Sequence, residues 1–257
     1  GLGFLIFFFF SLDLFAFFIL FARIGAVFML MPGIGSGYVP VNIRLVIALA
    51  LAFIITPLLK DGLPIMPESQ IDLMLLLLSE VIVGVFIGIV ARILISALQT
   101  AGTLVALFAS LANAMIRDPI AEQQSSLIST FLSMLGMVLI IVTDLHHLMI
   151  RGIVESYSLF QVGQPLLFGD FSEVLARRVA DSFVLGVQLA SPFMLAALVY
   201  YIGLGILGRL MPVLPVFIVG MPLQIVGQIG FLAITLSALM MYFLRRFEES
   251  IIVFLEP

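Results

Sequence analysis

Cysteine and tryptophan are both absent from this chain. Without thiols, disulfides and thiolate metal sites are excluded, and the redox compartment leaves no trace. Without indoles, any aromatic belt at a membrane interface falls to 24 Phe and 5 Tyr. Charge is scarce too. Asp, Glu, Lys and Arg make up 10% of 257 residues, against about a quarter in ordinary soluble domains. Residues 182–208 and 210–244 carry no charged side chain at all. About 20 helical residues cross ~30 Å of hydrocarbon, so either run is long enough. A water-soluble fold cannot leave such stretches without a polar face. The chain therefore reads as an all-α integral membrane protein. A net charge of −4, with Arg177-Arg178 and Arg245-Arg246 as the only adjacent basic pairs, argues against nucleic acid as a partner. The first 30 residues lack a basic start, hold Asp13 and Arg23, and run on into apolar sequence, so no cleavable leader is expected.

What is present falls into apolar segments separated by punctuation. Residues 4–31 and 43–59 predict two helices, divided by a stretch from Pro32 to Pro40 and closed by Pro57 and Lys60-Asp61-Gly62. A third runs from Ile71 to Ala112 and, being too long for one crossing, is expected to break or bend near Gly102. Asp118-Pro119 reads as the next helix start, Asp as cap and Pro at the first helical position. That helix would end near His146-His147. The polar stretch 151–181 predicts an exposed loop with an amphipathic helix. Residues 182–210 and 213–244 predict a helical hairpin around Met211-Pro212-Val213-Leu214-Pro215.

These spans are not purely lipid-like. Pro57, Pro192 and Pro222 lie in or near helix interiors, as do Gly84, Gly88, Gly102, Gly136, Gly186, Gly220, Gly227 and Gly230. Such breaks are tolerated at membrane depth where protein or a water-filled cavity covers the freed backbone groups. Arg23, Glu80 and Arg92 stand inside apolar segments, each costing ~2.5–3.5 kcal/mol at a bilayer centre. Glu80 and Arg92 lie about 18 Å apart along a straight helix, which points to partners elsewhere, Arg23 among them. The pattern suits helices buried against other subunits.

Sites for chemistry are few. Gly203-Leu204-Gly205-Ile206-Leu207-Gly208 fits the dinucleotide fingerprint, but it sits within an apolar helix with no acidic residue near the required offset. Close helix packing by small residues is the better reading, as it is for Gly84-xxx-Gly88. Asp144, His146 and His147 could ligate a metal, yet adjacent histidines on a helix point about 100° apart; a polar helix end is preferred, and no metal or cofactor is expected. Gln99, Asn113, Gln188, Gln224 and Gln228 are candidates for hydrogen bonds across helices.

Three stretches carry a family resemblance. RIGAVFMLMPGIGSGYVPVNIRLVIALALAF holds Arg23, Pro32, Pro40 and Arg44, with glycines at 33, 35 and 37. SLANAMIRDPIAEQQ, residues 110–124, ends its first half on Asp118-Pro119. LGRLMPVLPVFIVGMPLQIVGQIG, residues 207–230, holds Arg209, Pro212, Pro215 and Pro222. In this order, and across nearly the full length, they resemble the FliR family of flagellar biosynthetic proteins, in the FliR/SctT superfamily of type III secretion export gate subunits. The injectisome branch of that superfamily is the alternative.

The resemblance implies a non-enzymatic subunit that completes a helical ring with FliP and FliQ, beside FlhB, through which unfolded flagellar proteins pass. It implies kinked helical hairpins in a single 1–257 domain, with residues 1–181 FliP-like and 182–245 a FliQ-like hairpin. The location implied is the bacterial inner membrane at the flagellar basal body, partly raised toward the periplasm and touching lipid. Ser110, Leu111, Ala112, Asn113, Ala114, Met115, Ile116, Arg117, Asp118 and Pro119 match the family's pore plug. Arg23, Pro32, Pro40, Arg44, Arg209, Pro212, Pro215 and Pro222 would shape turns and subunit contacts. Two other classes fit less well. An independent solute transporter would show paired inverted halves, which are not evident here. The other is a membrane anchor for a redox or lipid enzyme, which, if it bound haem, would need axial histidines inside its spans.

Overall fold

A computed structural model of the chain describes residues 2–35, 37, 39–111, 115–117, 124–165, 168–213 and 215–252. Helices dominate: α1 (Leu2–Leu30), α2 (Val41–Leu59), α3 (Gln70–Phe108), α4 (Leu127–Val142), α5 (Leu145–Leu159), α6 (Phe168–Leu210) and α7 (Val216–Ile252). Two three-residue strands, β1 (Met115–Arg117) and β2 (Gln124–Ser126), pair antiparallel and depart slightly from a purely helical plan. By length and composition α2 with its following turn, α3, α6 and α7 could each cross a membrane; the kinked pair α4 and α5 makes a fifth span if counted as one.

Backbone chemistry explains where the elements stop. After α1 the chain turns through Gly33 at φ 88°, a left-handed conformation that costs glycine nothing. Pro40 then precedes α2, and in its first turn the N–H groups of Ile43 and Arg44 bond the Pro40 carbonyl at 3.0 and 3.3 Å. The expected break near Gly102 does not occur, and α3 runs unbroken for 39 residues. Gly102 serves close approach instead: a Cβ there would strike the backbone of Ser129. α4 starts at Leu127, not at Asp118-Pro119. Asp118 and Pro119 lie outside the described residues, and Ser126 caps the helix by accepting the Ser129 N–H at 3.1 Å. Nor does that helix continue to His146-His147. It ends at Val142, Asp144 takes φ 60°, and the histidines open α5. Among the described residues the polar stretch 151–181 is mostly helix, with loop around residues 160–165.

The described chain divides into two compact units. The first comprises Gly1–Arg92, Thr143–Ala176 and Glu249–Pro257. Its core is built from Ile19, Leu20, Ile24, Val27 and Phe28 of α1, Ala48, Ala52 and Ile55 of α2, and Val83, Phe86 and Val90 of α3. α5 adds Leu145, Met149, Ile153, Ser156 and Tyr157, a one-sided stripe at helical spacing. Phe86 stacks on Phe171 at 4.3 Å, and Phe160 meets both rings edge-on.

The second unit comprises Ile93–Val142 and Arg177–Glu248. Leu98, Ala101 and Val105 of α3, Leu132 of α4, Phe193 of α6 and Phe243 of α7 are among its fully buried apolar side chains. Gly186 lets α6 approach Thr100 of α3, and Gly136 does the same between α4 and Leu98. Pro192 cannot donate to the Gln188 carbonyl one turn back, and the Ser191 hydroxyl donates to it at 2.8 Å instead. That substitution keeps an apolar helix intact across its proline.

Candidate functional site

Arg23 is densely hydrogen-bonded within the first unit. It stands on α1 with no exposed surface, a place a charge can hold only if paired and hydrogen-bonded. Its Nε and one terminal nitrogen donate to the two carboxylate oxygens of Glu80 at 2.7 and 2.9 Å, a bidentate fork. The other nitrogen donates to the Ser156 carbonyl at 3.1 Å and to its hydroxyl at 3.3 Å. A final bond, 2.7 Å, reaches the Phe160 carbonyl. All five guanidinium N–H groups are thus used. The Tyr157 ring lies 4.0 Å beneath the cation, and its hydroxyl donates to the Leu20 carbonyl of α1 at 3.2 Å. The network ties α1, α3 and α5. Gly84 and Gly88 make it possible: a Cβ at Gly84 would strike the Arg23 carbonyl, and one at Gly88 would sit 2.7 Å from Leu30 Cβ. The packing read from Gly84-xxx-Gly88 is present, and Glu80 finds Arg23.

A second polar knot, in the other unit, fixes the point where the chain leaves α3. The Ser110 N–H bonds Leu107 and the Leu111 N–H bonds Ala106, a Schellman closure in which Ser110 holds the left-handed position usually given to glycine, at φ 60°. Its hydroxyl supplies a reason for the exception, donating to Gln224 Oε1 at 3.1 Å. The Gln224 amide nitrogen in turn donates to the Phe108 carbonyl at 2.6 Å and to the Tyr201 hydroxyl at 3.0 Å. One nearly buried carboxamide, with every hydrogen-bonding group spent, joins the end of α3 to α6 and α7. Tyr200 adds a 2.6 Å bond to the Gly220 carbonyl, closing the hairpin.

The remaining expected residues scatter. Ser110 and Leu111 are half-buried at the end of α3, and Met115, Ile116 and Arg117 form β1. Ala112, Asn113, Ala114, Asp118 and Pro119 lie outside the described residues. Pro32 and Pro40 flank the α1–α2 turn, which Arg44 steadies by donating from Nε to the Val39 carbonyl at 2.9 Å. Arg209, Pro212, Pro215 and Pro222 are exposed at the α6–α7 turn and on α7. Arg23, expected among subunit contacts, is instead wholly enclosed by its own chain. Nothing in the sequence singles out Ser156, Tyr157 or Tyr201, whereas Gln224, a candidate for hydrogen bonds across helices, makes them to the end of α3 and to α6.

The apolar surface is extensive. Val213, Ile234, Ile218, Val219 and Val226 are all more than two-thirds exposed, the first by 93%. Gly203, Gly205 and Gly208 have no atom within 4 Å of where a Cβ would stand, so no close packing is made at them among the described residues. Long apolar helices, buried polar knots and wide exposed apolar faces fit the class of helical membrane proteins. Residues 14–250 match the family model described as bacterial export proteins, family 1, and the chain belongs to that family. The flagellar biosynthetic protein FliR of Caulobacter vibrioides is 38% identical over 92% of this chain and 94% of its own length. The FliR of Bacillus subtilis is 31% identical over 93% of each. The Yop proteins translocation protein T of Yersinia pestis is 28% identical over 80% of each.

Proposed function

We propose that this chain is a non-enzymatic component of the flagellar type III export apparatus, resident in the inner membrane at the basal body and raised partly toward the periplasm. The observation that carries this reading is the 38% identity to a flagellar biosynthetic FliR across nearly the whole of both chains. The flagellar branch is preferred to the injectisome branch because the identity to the Yersinia protein is lower and covers less of the chain.

On this reading the subunit completes a ring with FliP and FliQ, beside FlhB, and conducts unfolded flagellar proteins. Residues 1–181 form its FliP-like part and 182–245 its FliQ-like hairpin, within one domain. The exposed apolar faces of α6 and α7 support subunit contacts there, since so much contiguous apolar surface marks a binding or membrane face. The Pro32–Pro40 turn, with Arg44 holding Val39, and the turn from Pro212 to Pro215 set the curvature that closes the ring. The segment from Ser110 to Pro119 seals the pore, anchored at Ser110 by Gln224. Disrupting the gene should stop export of flagellar subunits, with motility restored by the intact chain in trans. Deleting residues 110–119 should leave assembly intact and admit small solutes. Normal export without the chain would overturn the reading, and unchanged ion conductance in the deletion would overturn the plug.

A further inference from the structure

The start of α5 holds three metal-ligating side chains close together. Asp144 takes φ 60° and makes no capping hydrogen bond to α5, so its carboxylate is not spent on the helix. Nδ1 of His147 stands 3.5 Å from Oδ1 of Asp144. The two imidazoles lie with ring centroids 4.1 Å apart, tilted by 36°. One ligand atom from each residue lies within 4.8 Å of the other two. Nδ1 of His146 is shielded from solvent and has no hydrogen-bond partner among the described residues. A shielded ring nitrogen left unspent asks for an explanation, and a bound ion is one.

We infer that Asp144, His146 and His147 bind one divalent transition-metal ion. Two imidazoles and one carboxylate suit zinc, cobalt, nickel or copper, whereas calcium and magnesium take oxygen ligands. Metal–ligand bonds near 2.1 Å place neighbouring ligand atoms roughly 3–4 Å apart, so the side chains need to close by about an ångström. Asp144 and His147 are exposed and can rotate to do so. The remaining coordination position is left to water. The positive end of α5 opposes a cation, and the Asp144 charge offsets it, so binding is weaker than at a four-ligand structural zinc site. The site stands independently of the export reading.

Cobalt(II) titrated into the chelator-stripped, detergent-purified full chain tests it directly. One equivalent should produce a visible ligand-field spectrum that zinc abolishes and magnesium does not. His146→Ala and His147→Ala should each weaken cobalt binding by at least the ~10-fold that even outer-shell changes cost. Asp144→Gly keeps the positive φ while removing the carboxylate, so it should fold as well as the parent and still bind more weakly. Equal cobalt affinity in the parent and these variants, or no saturable binding by the parent, would overturn the site.

Discussion

Gly84-Gly88 and Gly203-Gly205-Gly208 look alike in sequence, as small residues spaced along apolar helices. Their surroundings are opposite. The first pair presses α3 onto the backbone of α1, beside a buried charge network. The second set, on α6, meets nothing among the described residues, and neither do Gly227 and Gly230 on α7. The same device therefore has two uses here. In the first unit it closes the chain on itself; on the hairpin it leaves a smooth apolar face open to whatever lies outside.

Removing Arg23 should have the largest effect. Arg23→Ala strands the Glu80 carboxylate in an apolar core and should destabilise the chain by about 3–5 kcal/mol, read as loss of monodisperse protein on heating in detergent. The double variant Arg23→Ala with Glu80→Ala should lose less than the single, because no unpaired charge remains. Arg23→Lys should fail to rescue, since an ammonium cannot reproduce the fork onto Glu80 and the bonds to Ser156 and Phe160.

Gly84→Ala comes next. The added methyl meets the Arg23 carbonyl and Ala26 Cβ, and a loss of about 1–3 kcal/mol is expected from overpacking. Gln224→Ala removes three hydrogen bonds at the end of α3 and should cost about 1–3 kcal/mol, with proteolysis between Ser110 and Ser126 becoming faster. Gly205→Ala is the smallest and has the opposite sign. Within the chain it should stabilise α6 by about 0.5–1 kcal/mol through helix propensity, while weakening any assembly that packs against that face. Equal effects of Gly84→Ala and Gly205→Ala on the isolated chain would erase the contrast between the two regions.

Much of this was legible in the residues. The apolar runs located the helices, Met211-Pro212 and Pro215 located the hairpin turn, and the isolation of Arg23 and Glu80 in apolar sequence announced that each needed a partner. What was not legible depended on contacts between distant segments. Gly102 looks like a helix breaker until Ser129 is seen against it. Asp118-Pro119 carries a stronger helix-start signal than Ser126, yet Ser126 is the cap, because the chain pairs as β1 and β2 before α4 begins. Adjacent histidines on a helix point about 100° apart, yet the rings of His146 and His147 lie with centroids 4.1 Å apart at the start of α5. Ser110 gave no local sign of replacing a glycine. Its reason lies 114 residues away, at Gln224.

Native mass spectrometry of the tagged chain, extracted in mild detergent, tests most directly whether the open helical faces belong against other proteins. The account predicts a particle well above the 28.1 kDa of one chain, holding FliP- and FliQ-type proteins. A stable species of 28.1 kDa, with no associated membrane protein, would contradict it.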